Sequence, residues 1–192
     1  MKSSARWGWC SLSLAVLVSS NLLAMQKVTW VHGRVSRNVD GDTIWVQPDR
    51  SDSPTNEADG KPLKIRMLSI DAPETHFPAE NGAVVGQGKY GEVAASRLAA
   101  LIPLGTRVLI KDEGLDKYNR TLGRVFLRNG DINLAMVKEG WAITYFICDG
   151  EKCTKNYFKN EEVEKYVTSC EQAKEKGLGI FNPKDPLREM PF

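Results

Sequence analysis

Hydrophobic and polar positions alternate along much of the chain with the period of two that marks strands. The sharpest run is Ile65-Arg66-Met67-Leu68-Ser69-Ile70, the core of a strand predicted over residues 63–70. Comparable β-rich runs lie at residues 27–39, with a bend expected near Gly33, and at 42–47, 107–111 and 121–127. Three stretches follow helical spacing instead. Residues 89–102 can set Val93, Leu98, Leu101 and Ile102 on one side, and Pro103 and Gly105 end that helix. Residues 132–139 are capped by Asp131 and stopped by Gly140, and residues 156–176 run to a cap at Gly177. Asn129-Gly130 is a turn, and residues 141–147 are apolar and aromatic. Residues 48–62, 75–88 and 149–155 read as loops, the second a candidate mobile lip. Five β segments, one helix after the third and two more at the end predict an α+β chain, mainly a small five-stranded Greek-key barrel.

The chemistry gathers where strands end. Pro73 cannot donate to a ladder and drives Ala72 out of helical space, so the third strand stops with Asp71 and Glu74 at its mouth. Arg66 is a cation within an otherwise apolar strand. Strict alternation puts Arg66 and Asp71 on opposite faces, so the two share a site only if the chain bulges or twists at Ile70-Asp71. Upstream, Val39-Asp40-Gly41-Asp42-Thr43 sets Asp42 at a strand start just after a tight turn. Downstream, Asp116-Lys117-Tyr118-Asn119-Arg120 sets Arg120 at the start of the fifth strand.

The order V-D-G-D-T, I-R-M-L-S-I-D-A-P-E-T and D-K-Y-N-R-T-L-G-R resembles the staphylococcal nuclease (thermonuclease) family, over roughly residues 28–181. The resemblance implies an OB-fold and a Ca²⁺-dependent nuclease that cleaves DNA and RNA without regard to sugar, leaving 3′-phosphates. By the same resemblance Asp42, Asp71 and the backbone carbonyl of Ala72 hold the metal, Arg66 and Arg120 bind the phosphate, and Glu74 orients or activates water. The residue types suit those roles. Hard cations take oxygen ligands, guanidinium forks match phosphate oxygens, and a carboxylate can accept the proton of an attacking water. Tyr118 and Tyr145 either stack on a base or sugar or pack into the core. The loop over residues 48–62 is longer than the hairpin connection expected in this family. The competing class is a non-catalytic OB-type module that binds nucleic acid or protein, and retention of all five charged residues favours the enzyme.

Composition narrows the setting. The 192 residues carry 26 basic and 24 acidic side chains, a net charge of +2. Residues 1–24 hold Lys2, Arg6 and no acid, followed by a mostly apolar run, as in a secretory signal. Cleavage after Ser20 or Ala24 leaves 24 basic against 24 acidic residues, so positive charge toward nucleic acid must be local rather than a broad coat. A secreted or periplasmic protein is expected, or a membrane-anchored one if the signal stays attached. The domain then spans residues 27–182 and a tail 183–192. A monomer with no stable protein partner is expected. Loss of Cys10 with the leader leaves Cys148, Cys153 and Cys170, an odd set that allows one disulfide among three pairings. His32 and His76 are isolated and read as structural or surface residues.

Overall fold

The computed structural model describes residues 29–49, 60–75, 87–145, 161–182 and 184. The leader, most of the 48–62 loop, residues 76–86 with His76, and the 149–155 loop with its flanking Cys148 and Cys153 lie outside the described residues. So do the start of the last helix and nearly all of the tail.

Five strands make the barrel: β1 (Thr29–Asn38), β2 (Thr43–Pro48), β3 (Leu63–Met67), β5 (Arg107–Leu115) and β6 (Thr121–Leu127). Three two-residue strands are added: β4 (Ile70–Asp71), β7 (Gly130–Asp131) and β8 (Ile143–Thr144). The helices are α1 (Gln87–Leu101), α2 (Ile132–Lys138) and α3 (Glu161–Glu175), and a 3-10 turn covers Gly179–Phe181. Strands run in the order β3-β2-β1-β5-β6-β7, and a parallel β3–β6 pairing closes the ring. The other barrel pairings are antiparallel, so the sheet is mixed and the expected OB-type α+β architecture is the one observed.

Alternation explains the interior. Val31, Val35, Ile44, Val46, Ile65, Met67, Val108, Ile110 and Val125 all point inward and are buried. Each large side chain so buried contributes about 1.5–3 kcal/mol relative to exposure. α1 covers one end with Ala94 and Leu98, followed by Ile102. α2 brings Leu134, Met136 and Val137. α3 packs on α2, and its Tyr166 hydroxyl donates to Asp131 Oδ2 at 2.7 Å. The other oxygen of Asp131 accepts from Leu134 N at 3.1 Å, so one carboxylate caps α2 and anchors α3.

Several features differ from expectation. β1 runs through Gly33 unbroken, and its pairing with β2 shifts register between Val35 and Arg37 instead. β5 continues to Leu115, four residues beyond the expected end, through a register shift against β6 after Asp112. α1 begins at Gln87, two residues early. The third strand stops at Met67, because Ser69 takes φ 67° and turns the chain before β4. The buried side chain of Asn133 braces that turn. Its Nδ2 donates to Leu68 O at 2.9 Å and to Gly123 O at 3.3 Å, while its Oδ1 accepts from Val125 N at 3.0 Å. Tyr145 N donates to Ser69 O at 3.0 Å, which ties the turn to the chain after β8.

Candidate active site

The β2–β3 register delivers the first acid. Thr43 pairs with Arg66, and Met67 N donates to Asp42 O at 2.8 Å, so Asp42 stands beside the Arg66 side chain. The Asp40-Gly41-Asp42 turn is closed by Val39 N on Thr43 O at 3.0 Å and by Asp42 N on Asp40 Oδ1 at 3.1 Å. Asp42 is almost wholly buried. Its Oδ2 accepts from Arg66 Nη1 at 2.6 Å and Ala72 N at 2.9 Å, and its Oδ1 accepts from the Thr43 hydroxyl at 3.0 Å.

The turn at Ser69 then does what alternation forbids. It returns Asp71 to the face of Arg66, where Asp71 Oδ1 accepts from Nη2 at 2.6 Å. The break falls two residues earlier than the sequence pattern requires. Arg66 Nη1 also donates to Ile70 O at 3.1 Å, so the guanidinium spans both aspartates and the returning chain. Arg66 is 13% exposed and Asp71 45% exposed, so one side of this bridge faces solvent and can exchange partners.

Arg120 is held by a separate device. Asn119 takes φ 62°, which asparagine tolerates, and the chain doubles back around Asp116. Asp116 Oδ1 accepts from Tyr118 N at 2.9 Å and Arg120 N at 2.8 Å, and Oδ2 accepts from Arg120 Nε at 2.7 Å. The parallel pairing of β6 with β3 brings this turn beside Arg66. Both arginines line one cleft of about 630 Å³ with Leu115, Lys117, Tyr118 and Tyr145. Tyr118 and Tyr145 are 67% and 51% exposed, so their place is the cleft rim rather than the core. The Arg120 guanidinium lies 5.4 Å from the Tyr118 ring centre.

Glu74 is on the surface just past Pro73, within electrostatic reach of Arg66, Asp71, Arg120 and Asp40. Its carboxyl is raised above the usual range, first by lost hydration and then by the charge of Asp40. Asp42 is pushed up to about 8, mainly by burial, with Asp40 and Glu74 adding to it and Arg66 opposing it. Thus, among the described residues, Asp40, Asp42, Asp71 and Glu74 meet two guanidiniums, one of them already paired with Asp116.

That shortage of positive charge around a buried carboxylate fits a divalent cation. Among the described residues no three carboxylate, imidazole or thiolate groups form a closed cage. A site with two aspartates suits a hard cation that completes its shell with carbonyl oxygen and water. What the structure records of Ala72 is its N–H, which donates to Asp42; the role of its carbonyl rests on the resemblance.

The sequence pattern singled out neither Asp40, Thr43 nor Asp116. Asp116 carries a readable signal, an aspartate four residues before an arginine within a turn-forming run. Its carboxyl is lowered: desolvation pushes it up, but hydrogen bonds from the Arg120 and Tyr118 N–H groups and the Arg120 side chain, with the Arg120 charge, outweigh that. A depressed carboxylate contributes stability at neutral pH and loses it as pH falls through its lowered value. Asp116→Asn is therefore expected to reduce the acid-side decline of Tm. If Arg120 acts on substrate, the same change lowers kcat/KM about tenfold or more by releasing its side chain.

A closed OB-type barrel that gathers Asp42 and Asp71 on Arg66, and lines the neighbouring cleft with Arg66 and Arg120, carries charges suited in their chemistry to a phosphate. The family described as staphylococcal nuclease homologue matches residues 64–183. Endonuclease YhcR of Bacillus subtilis (strain 168) is 36% identical over 163 residues, 83% of this chain and 12% of that protein. Protein ParB of Escherichia coli is 31% identical over 142 residues, 69% of this chain and 66% of that protein. An uncharacterized endonuclease of Haemophilus influenzae is 28% identical over 127 residues, 66% of this chain and 58% of that protein. The chain thus spans a small part of the first relative and less than two thirds of the length of the other two. It belongs to the staphylococcal nuclease homologue family.

Proposed function

We propose that this chain is an exported, Ca²⁺-dependent nuclease that hydrolyses phosphodiester bonds of DNA and RNA and leaves 3′-phosphate ends. One observation carries the reading: Arg66 bridges Asp42 and Asp71 while Arg120 lines the same cleft. Endonuclease relatives support the reaction class.

Arg66 and Arg120 present forks to the non-bridging phosphate oxygens and stabilise the charge that builds there. Glu74 accepts a proton from the attacking water, and its raised carboxyl makes it the stronger base for that task. Water adds at phosphorus, the P–O5′ bond breaks, and the leaving 5′-oxygen takes a proton from solvent water. Tyr118 and Tyr145 offer aromatic faces to a neighbouring base or sugar, which needs no sequence preference. Asp42, Asp71 and the Ala72 carbonyl would hold Ca²⁺, which when bound would supply Lewis-acid charge. The leader directs the chain out of the cytoplasm.

The test is a substrate panel of single-stranded DNA, double-stranded DNA and RNA, with the new ends analysed. Cleavage of all three with phosphate on the 3′ end is expected. Binding without cleavage, by folded protein supplied with Ca²⁺ or Mg²⁺, assigns the barrel to a binding module instead.

A further inference from the structure

Helix α1 contributes none of the charged groups at the site, yet its first turns touch both acid-bearing turns. Glycine inside a helix is unfavourable relative to alanine, so a glycine at its fifth position calls for a reason. At Gly91 that reason is close approach. A Cβ there would lie 2.2 Å from Glu74 O, 2.4 Å from Glu74 C and 2.6 Å from Thr75 N. All three are backbone atoms, which cannot swing aside as a side chain would. Three residues on, along the same helix face, Ala94 is fully buried. A Cβ on Gly41 would lie 2.8 Å from Ala94 Cβ and 2.6 Å from Ala72 Cβ. Gly41 separates Asp40 from Asp42, and Ala72 lies between Asp71 and Glu74. Farther along, Leu98 and then Ile102 enter the core and fix the helix in place.

We propose that the Gly91–Ala94 face of α1 is the positioning surface of the site, with Gly91 setting where the Glu74 carboxylate stands. The face narrows to a hydrogen and a methyl so that the helix seats directly on the two acid-bearing turns. Gly91 touches no substrate. It acts through the Glu74–Thr75 backbone, and the claim rests on the nuclease reading above.

Gly91→Ala must move the Glu74 peptide by about 1 Å, a displacement that can cost 10²-fold in rate. The test is a double-mutant cycle with Glu74→Gln, measured as kcat and KM in the full chain. The expected result is a fall in kcat of about 100-fold with KM within twofold, and less than a twofold further loss when Glu74 is already glutamine. An equal loss in both backgrounds, or kcat within twofold of the unmutated protein, overturns the proposal. Should Gly91→Ala fail to fold, Ala94→Ser thickens the same face beside Gly41, and its hydroxyl can bond within the helix. A tenfold loss of kcat at constant KM is then expected, and unchanged kcat overturns the proposal. Failure of both variants to fold assigns the face to stability alone and overturns it too. If the unmutated chain cleaves nothing, the nuclease reading falls by itself. The claim about Gly91 is then judged on the Thr75 amide resonance, which Gly91→Ala must shift.

Discussion

Glu74→Gln is expected to lower kcat by about 10²–10⁴-fold, the range for losing a positioned general base. Glutamine keeps the size and reach of the side chain but cannot take a proton from water. Glu74 is exposed, and among the described residues its side chain makes no hydrogen bond, so KM and Tm should stay near their original values. The raised carboxyl adds a second signature. As a base, Glu74 works only when ionised, so kcat/KM should rise with pH through a value above the usual carboxylate range. Lost hydration and the charge of Asp40 set the direction of that shift. In Glu74→Gln that rise should vanish from the residual activity. A fall in kcat of less than tenfold, with the pH profile intact, would assign proton transfer to another group.

Asp42→Asn should separate stability from function. Asp42 is buried, and its carboxyl is pushed up to about 8 by that burial despite the Arg66 ion pair. A carboxyl raised this far holds its proton in the native state at pH values where the unfolded chain has released it. The metal-free protein is therefore most favoured by this group below the ordinary carboxylate value, and loses that contribution as pH rises to about 8. At neutral pH burial of this group is a net burden, even with the Arg66 charge and the Ala72 N–H opposing it. Asparagine retains an acceptor for Ala72 N and carries no charge. Metal-free Asp42→Asn should thus melt higher than the original protein near pH 7, and its Tm should vary less between pH 5 and 8. Divalent-ion binding, followed by calorimetry, should weaken by an order of magnitude or more, and cleavage should fall with it. A lower Tm together with unaltered ion affinity would show that Asp42 serves the fold and not the site.

Much of the barrel is legible in the chain because a half-buried strand must alternate. The five long strands follow from that rule, and so do their inward residues. What alternation does not show is where a strand breaks by a single unusual backbone angle. Ser69 carries no sequence signal for positive φ; the conformation is imposed from outside by Asn133, Gly123 and Tyr145. Asn133 itself is a polar residue in a helix otherwise buried by its apolar side chains, and its role depends on partners far along the chain. The charged set at the site is legible as motifs at strand ends. Its geometry is not, since the Arg66 bridge exists only because Ser69 turns the chain. Asp40 looks like an ordinary turn residue, and Asp116 is marked only by its spacing to Arg120. Each becomes part of the site through one contact, with Asp42 N and with the Arg120 side chain. The small residues Gly91 and Ala94 left no mark either, because hydrophobic patterning weighs what a side chain adds and not the space it leaves.

The most direct measurement is metal-dependent cleavage of a single-stranded DNA oligonucleotide by the leaderless chain. Parallel reactions contain Ca²⁺, Mg²⁺ or a chelator, and Glu74→Gln serves as the folded control. Cleavage with Ca²⁺, loss of cleavage in chelator, recovery on re-adding Ca²⁺ and strong reduction in Glu74→Gln are expected. Cleavage that persists undiminished in chelator, or proceeds equally in Glu74→Gln, would contradict the proposed function.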